Sequence, residues 1–161
     1  MRFGTRTELK RKWTPQGHRP KAPVKIGYEF AYLYLALCPF SGKVFAMFLP
    51  YMNKECFRLF SQQVAQDLSE PTLLIVDRAS THQSSLLASS SIILHHLPAA
   101  CPELNPVERV FKEIRRKLAN RVFLSLQQAE QLLTKVVEEL IQQPAAIISL
   151  TNYDYITSYL S

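Results

Sequence analysis

The chain has 161 residues, 47% of them hydrophobic and 20% charged, and its formal net charge is +6 at pH 7. This length and balance predict one soluble globular domain over residues 1–161, and they exclude a membrane span because charges, Pro39 and Gly42 interrupt the most apolar stretch, residues 24–50. The basic N terminus lacks a signal peptide's apolar segment, and the three widely spaced cysteines predict reduced thiols in a cytoplasmic protein.

The positive charge is clustered. Fourteen of the 19 lysines and arginines lie in two blocks, residues 2–25 and residues 109–121. Such blocks favour a polyanionic partner, DNA or RNA, over the alternative of an ordinary basic surface.

The first half of the chain predicts a hairpin followed by a helix. Residues 1–23 are polar and basic, with a turn at 15–17. Residues 28–37 predict a strand, residues 40–43 a tight turn, and residues 44–49 a returning strand. Asn53 can cap a helix that runs to about Leu68, because apolar residues recur there at helical spacing.

The second half predicts two strands and two helices. The short apolar runs 72–76 and 92–97 predict strands, the first buried on both faces, and the serine-rich stretch 84–91 predicts a loop or small helix. Asn105-Pro106 and Ser125 each predict a helix start, and the last helix stops before Pro144. This order predicts an α/β layered domain with a mixed sheet.

Two acids, Asp77 and Glu108, are candidates for a divalent-metal site. Asp77 follows a predicted strand, where ligands of open α/β sheets gather, and Glu108 lies in a first helical turn. Each also has a structural explanation. Asp77 can cap the turn after its strand, and Glu108 can complete a capping box with the backbone of Asn105. His82, five residues after Asp77, either faces a phosphate or is an ordinary loop histidine.

The chain contains no zinc-finger spacing, P-loop, dinucleotide fingerprint or G-x-S-x-G motif. Four segments instead carry a resemblance, in order along nearly the whole chain. They are residues 97–108, which fit L-P-x-x-x-P-x-L-N-P-[IV]-E; residues 77–84, which are similar to D-N-x-x-x-H-x-S; residues 2–20, similar to R-F-G…W-x-x-K-G-x-R-P; and residues 120–123, which fit N-R-x-F. With these motifs the chain resembles DDE transposases, in particular the bacterial insertion-sequence branch related to mariner.

The resemblance implies an RNase H-like fold, a mixed five-stranded sheet flanked by helices. It implies three acids that bind two Mg²⁺ or Mn²⁺ ions for DNA cleavage and strand transfer, with Asp77 as the second acid and Glu108 as the third. DNA is the implied partner, together with a second copy or a full-length transposase, in the bacterial cytoplasm at the nucleoid. With the basic blocks, the DNA contacts are assigned to Arg11, Lys12, Arg19, His82, Arg109, Lys112, Arg115 and Arg116.

The chain also departs from that family. In relatives the first acid belongs to a D-E-x-R-F-G segment and would fall about two residues before Met1, and Arg78 replaces the usual asparagine. The expectation is a domain that lacks the first catalytic strand and the N-terminal DNA-binding region. Three hypotheses follow: a catalytic domain inactive alone, a non-catalytic module that binds DNA or pairs with a transposase, and a self-sufficient nuclease with a reorganised metal site.

Overall fold

The computed structural model describes residues 1–83 and 91–157, without the side chains of Asp154 and Thr157. Most of the predicted serine-rich loop or helix lies outside these residues. The strands are β1 (Arg2–Gly4), β2 (Phe30–Leu37), β3 (Val44–Leu49), β4 (Thr72–Val76) and β5 (Ile92–His96). The helices are α1 (Lys54–Gln66), α2 (Val107–Leu118), α3 (Leu126–Ile141), α4 (Pro144–Thr151) and α5 (Asp154–Thr157), with a 3-10 turn at Pro102–Leu104.

The strands form two ladders. β1, β2 and β3 pair antiparallel in that order, and β4 pairs parallel with β5, with Val76 opposite His96. The resemblance implied a single five-stranded sheet. The described strands instead form these two separate ladders, because the three-residue β1 pairs only with β2. The sequence predicted no strand before residue 28, so β1 is an addition to the expected elements.

Alternating side chains of β2 bury both faces of the three-stranded sheet. Leu33, which is fully buried, lies in a cluster with α2, α3 and α4, and Tyr34 lies in a second cluster with α1, β4 and β5. Neighbouring residues of a strand point to opposite faces, so one strand serves both clusters. Helices thus cover both faces of this sheet, and the predicted α/β layered class is confirmed.

The prediction that β4 is buried on both faces is wrong. Val76 is buried against α1, whereas Leu73 and Ile75 are 55% and 48% exposed, and Ile93 on β5 is 62% exposed. α2, α3 and α4 pack on the three-stranded sheet instead, and no other described helix covers this face.

Side-chain caps start two helices as predicted. Asn53 Oδ1 accepts the Cys56 N–H at 2.8 Å, and the Ser125 hydroxyl accepts the Gln128 N–H at 3.3 Å. The predicted tight turn also forms. Its Gly42 has φ +69°, and a Cβ there would come within 2.4 Å of the Pro144 carbonyl oxygen, so glycine lets the hairpin approach the start of α4.

α4 and α5 lie beyond the residue before which the last predicted helix stops, and the sequence predicted neither. α4 begins at that residue, Pro144, because proline suits a first helical position. None of the described helices is both long and apolar enough to cross a membrane.

Candidate active site

Asp77 lies directly after β4, and its side chain is 61% exposed. Oδ1 accepts the Ala79 N–H at 3.1 Å and lies 2.7 Å from His82 Nδ1. The predicted turn cap is therefore real. It occupies one carboxylate oxygen, and Oδ2 has no hydrogen-bond partner among the described residues. The cap and a ligand role are compatible, because each needs a different oxygen.

His82 holds the Asp77 carboxylate in place. Nδ1 of His82 is hydrogen-bonded to the Asp77 main-chain carbonyl at 3.2 Å and lies 2.7 Å from the carboxylate. Both oxygens can only accept, so Nδ1 carries the proton. The ring packs on buried Phe57, with the ring centroids 4.4 Å apart, and the His82 carbonyl accepts a hydrogen bond from His96 Nε2 at 2.7 Å. These contacts fix both the ring and the backbone of His82. His82 therefore lies beside the Asp77 carboxylate, and its assignment as a DNA contact stays a prediction.

Glu108 is not a helix cap. The Asn105 N–H donates to the Pro102 carbonyl at 3.0 Å, and Asn105 Oδ1 accepts the Val107 N–H at 3.2 Å. The predicted capping box with Asn105 is therefore wrong: α2 starts one residue later, with Pro106 at the N-cap, and the 3-10 turn already satisfies Asn105.

The Glu108 carboxylate is partly open to solvent. Its side chain is 43% exposed, and Oε2 lies 3.7 Å from Nη1 of Arg115, which lies further along the same face of α2. The Met1 amine, which donates to the Leu33 carbonyl at 2.6 Å, has its pKa lowered to about 6 by burial and by Arg115, while Glu108 opposes the shift. Glu108 and Arg115 therefore lie close to the start of β1.

Asp77 directly follows β4, whereas Glu108 lies twelve positions after the last residue of β5, in the first turn of α2. The loops after β4 and β5 are joined where Arg78 Nε donates to the Leu97 carbonyl at 3.1 Å. No hydrogen bond or ion pair between described residues joins Asp77 to Glu108, however. The described part of the chain also holds no group of three or more histidines, cysteines and acids that could bind a metal ion.

The donors fit a hard divalent cation in chemistry but not in number. Carboxylate oxygens suit Mg²⁺ and Mn²⁺, and Mg²⁺ is commonly held by one or two carboxylates plus substrate phosphates and water. Asp77 and Glu108 each supply carboxylate oxygens of this kind. A complete site for two ions needs further ligands.

The first basic block, residues 2–25, is hydrogen-bonded to residues 120–124 and is exposed over residues 11–20, here called its tip. The Asn120 N–H donates to the Glu8 carbonyl at 2.8 Å, and Asn120 Oδ1 accepts the Lys10 N–H at 3.1 Å. The Lys25 ammonium donates to the Phe123 and Leu124 carbonyls. These hydrogen bonds give the asparagine of the N-R-x-F motif a structural role. The candidate DNA contacts at the tip are Arg11, Lys12 and Arg19, all exposed and without an ion pair to any described residue.

Most candidates on α2 already have partners. Arg116 forms a two-point ion pair with Glu113, whose pKa it lowers, and Arg115 lies near Glu108. Arg109 stacks on Tyr153 and bonds the Leu150 carbonyl, which no sequence signal indicated. Of the four α2 candidates, Lys112 is exposed and has no partner within the described ranges.

Comparisons with known proteins agree with this fold and these motifs. Residues 1–132 match the family model described as DDE superfamily endonuclease. The uncharacterized protein y4pE/y4sA of Sinorhizobium fredii is 31% identical over 125 residues, which cover 75% of this chain and 93% of that protein.

Two solved structures have the same fold. The Mos1 strand transfer complex has a TM-score of 0.62 at 13% identity and covers 95% of this chain, and a Mos1 transposase paired-end complex with the left transposon end has 0.61 at 12% and also covers 95%. The chain spans about half the length of these structures, 53% and 54% respectively. The implied RNase H-like fold is confirmed, and the chain belongs to the DDE superfamily endonuclease family.

Proposed function

We propose that the chain is a transposase-derived catalytic domain for metal-dependent DNA cleavage and strand transfer, with Asp77 and Glu108 as its metal-binding, catalytic carboxylates. Family membership supports the reaction class. The assignment of these two residues rests on one observation, which is that each keeps a carboxylate oxygen available. Asp77 caps its turn through Oδ1 alone, and Glu108 caps nothing. The similar Mos1 mariner paired-end complex with Mn supports a divalent ion.

The protein's own contribution is orientation and charge. His82 and the Ala79 N–H fix one oxygen of Asp77, so its other oxygen faces outward without reorganisation. The positive charge of Arg115 partly balances the negative charge of the Glu108 carboxylate. When bound, Mg²⁺ or Mn²⁺ supplies Lewis-acid polarisation of the phosphate and activation of the attacking oxygen.

Two carboxylates make an incomplete site, so we expect negligible strand transfer by this chain alone. The loss of one essential member of such a constellation lowers the rate by roughly a thousandfold or more. The measurement is cleavage and joining of labelled duplex DNA in Mg²⁺ or Mn²⁺. Metal-dependent cleavage that Asp77→Ala abolishes and Asp67→Ala preserves would refute this expectation and favour a self-sufficient nuclease.

Metal binding tests the two ligands directly. We expect Mn²⁺ to broaden the amide NMR signals around Asp77 and Glu108, and Mg²⁺ to compete. Asp77→Asn or Glu108→Gln should reduce this broadening by about a hundredfold, because each removes one of two anionic ligands. Glu103→Gln is the matched control, since Glu103 is an exposed acid on the neighbouring 3-10 turn. Broadening that depends on Glu103, or on no single site, would contradict the assignment.

A second candidate function is a non-catalytic module that binds DNA or pairs with itself or with a full-length transposase. The exposed, unpaired cations at Arg11, Lys12 and Arg19 favour it. One of the similar Mos1 structures is a paired-end complex with a transposon end, which supports DNA as the partner. The relative from Sinorhizobium fredii is bacterial, and an insertion-sequence origin with action at the nucleoid stays a prediction. In either case residues 1–161 act as a single domain.

A further inference from the structure

The segment that leads into α2 and includes its first residues, 104–109, is here called the turn. It carries Glu108 and is held by contacts from residues 150–155. The Tyr155 hydroxyl donates a hydrogen bond to the carbonyl of Leu104, 51 positions away in sequence. This contact ties the first residue of the turn.

The other end of the same turn is tied by Arg109. Its Nη1 donates to the Leu150 carbonyl at 3.3 Å, and its guanidinium carbon lies 4.0 Å from the centre of the Tyr153 ring. The Tyr153 and Tyr155 rings stack with centroids 5.2 Å apart. The three contacts to the turn therefore come from one stacked pair of tyrosines and the backbone beside it.

Residues 150–155 are themselves anchored in the core. Ile147 of α4 is fully buried in the cluster of α2 and α3, and buried Thr151 donates its hydroxyl hydrogen to the Ile147 carbonyl at 2.7 Å. A segment anchored in this way can hold a turn in one position. The family match ends at residue 132, before this segment begins.

We propose that residues 150–155 form a clamp that sets the position of the Glu108 carboxylate, with Arg109 and Tyr155 as positioning residues. The inference rests on the proposed function in taking Glu108 as a metal ligand. Ties at both ends of a six-residue turn restrict the rotation of α2's first turn, where Glu108 precedes Arg109. A guanidinium stacked on tyrosine and bonded to a carbonyl serves this clamp rather than a DNA phosphate.

The test measures Mn²⁺-induced relaxation of the Glu108 amide at a low, constant metal concentration. Tyr155→Phe removes the hydrogen bond to Leu104 and keeps the stacked ring, and Arg109→Lys keeps the charge and loses the planar stack. Each variant is expected to reduce the Mn²⁺-induced relaxation of the Glu108 amide about threefold to tenfold. This is less than the loss of metal affinity typical of groups that touch a metal ligand directly. The matched controls, Tyr28→Phe and Arg121→Lys, alter exposed residues and are expected to leave it unchanged.

The outcomes separate the two proposals. No relaxation effect at Glu108 in the unmodified chain overturns the metal-ligand assignment. A normal effect that neither Tyr155→Phe nor Arg109→Lys reduces overturns the clamp alone. Native amide shifts across α3 show that the molecules measured are folded; if Tyr155→Phe unfolds the chain, Arg109→Lys decides the result.

Discussion

Replacing Phe57 with alanine is expected to lower the free energy of unfolding by about 3–5 kcal/mol. The ring is 2% exposed and lies in the cluster that joins α1 to the two ladders of strands. Its removal leaves a cavity that the surrounding strands cannot fill. The loss is a large share of the total stability of a small domain, which is about 5–15 kcal/mol. Urea denaturation followed by circular dichroism measures it.

The neighbouring exposed residue supplies the control. Leu59 lies on the same helix and is 51% exposed, so Leu59→Ala should change the free energy of unfolding by about 0.5 kcal/mol or less. Phe57 also supports the ring of His82, so the variant should weaken Mn²⁺ binding near Asp77 even in buffer where it remains folded. A loss of stability no larger than that of Leu59→Ala would contradict the packing described.

DNA binding is expected to be independent of sequence and to weaken steeply with salt. Four candidate cations are exposed and unpaired among the described residues, at positions 11, 12, 19 and 112. Four phosphate contacts give a log–log salt slope of about −3.6, so the affinity should fall about 100-fold between roughly 50 and 200 mM salt. Fluorescence anisotropy with two unrelated duplexes measures both properties.

A triple alanine substitution at Arg11, Lys12 and Arg19 should reduce the magnitude of that slope by about 2.7, since each phosphate contact contributes about 0.9. The control removes the same net charge from exposed helix positions and should leave the slope largely unchanged; it combines Lys54→Ala, Arg58→Ala and Lys135→Ala. Equal slopes for the two triple variants would mean that binding follows net charge and not the exposed tip. Salt-insensitive binding would exclude the phosphate contacts altogether.

Local patterns predicted most of the elements. Asn53 and Ser125 cap helices because a short polar side chain reaches the backbone N–H three residues ahead, which neighbouring residues decide. The turn at Gly42 needs a positive φ that glycine adopts freely. The motifs around Asp77 and Glu108 predicted the family, which the match over residues 1–132 confirms.

Long-range packing decided the rest. Neither the exposed face of β4 nor the start of α2 follows from nearby residues, because each depends on where other elements pack. The partners of Arg109 and Leu104 lie 41 and 51 positions away, so a basic residue with the pattern of a DNA contact became part of a clamp. By itself the sequence determined most of the elements and the family, and it predicted the two acids. The tertiary structure decided which oxygens and cations remain available, since hydrogen bonds and stacking join residues that are distant along the chain.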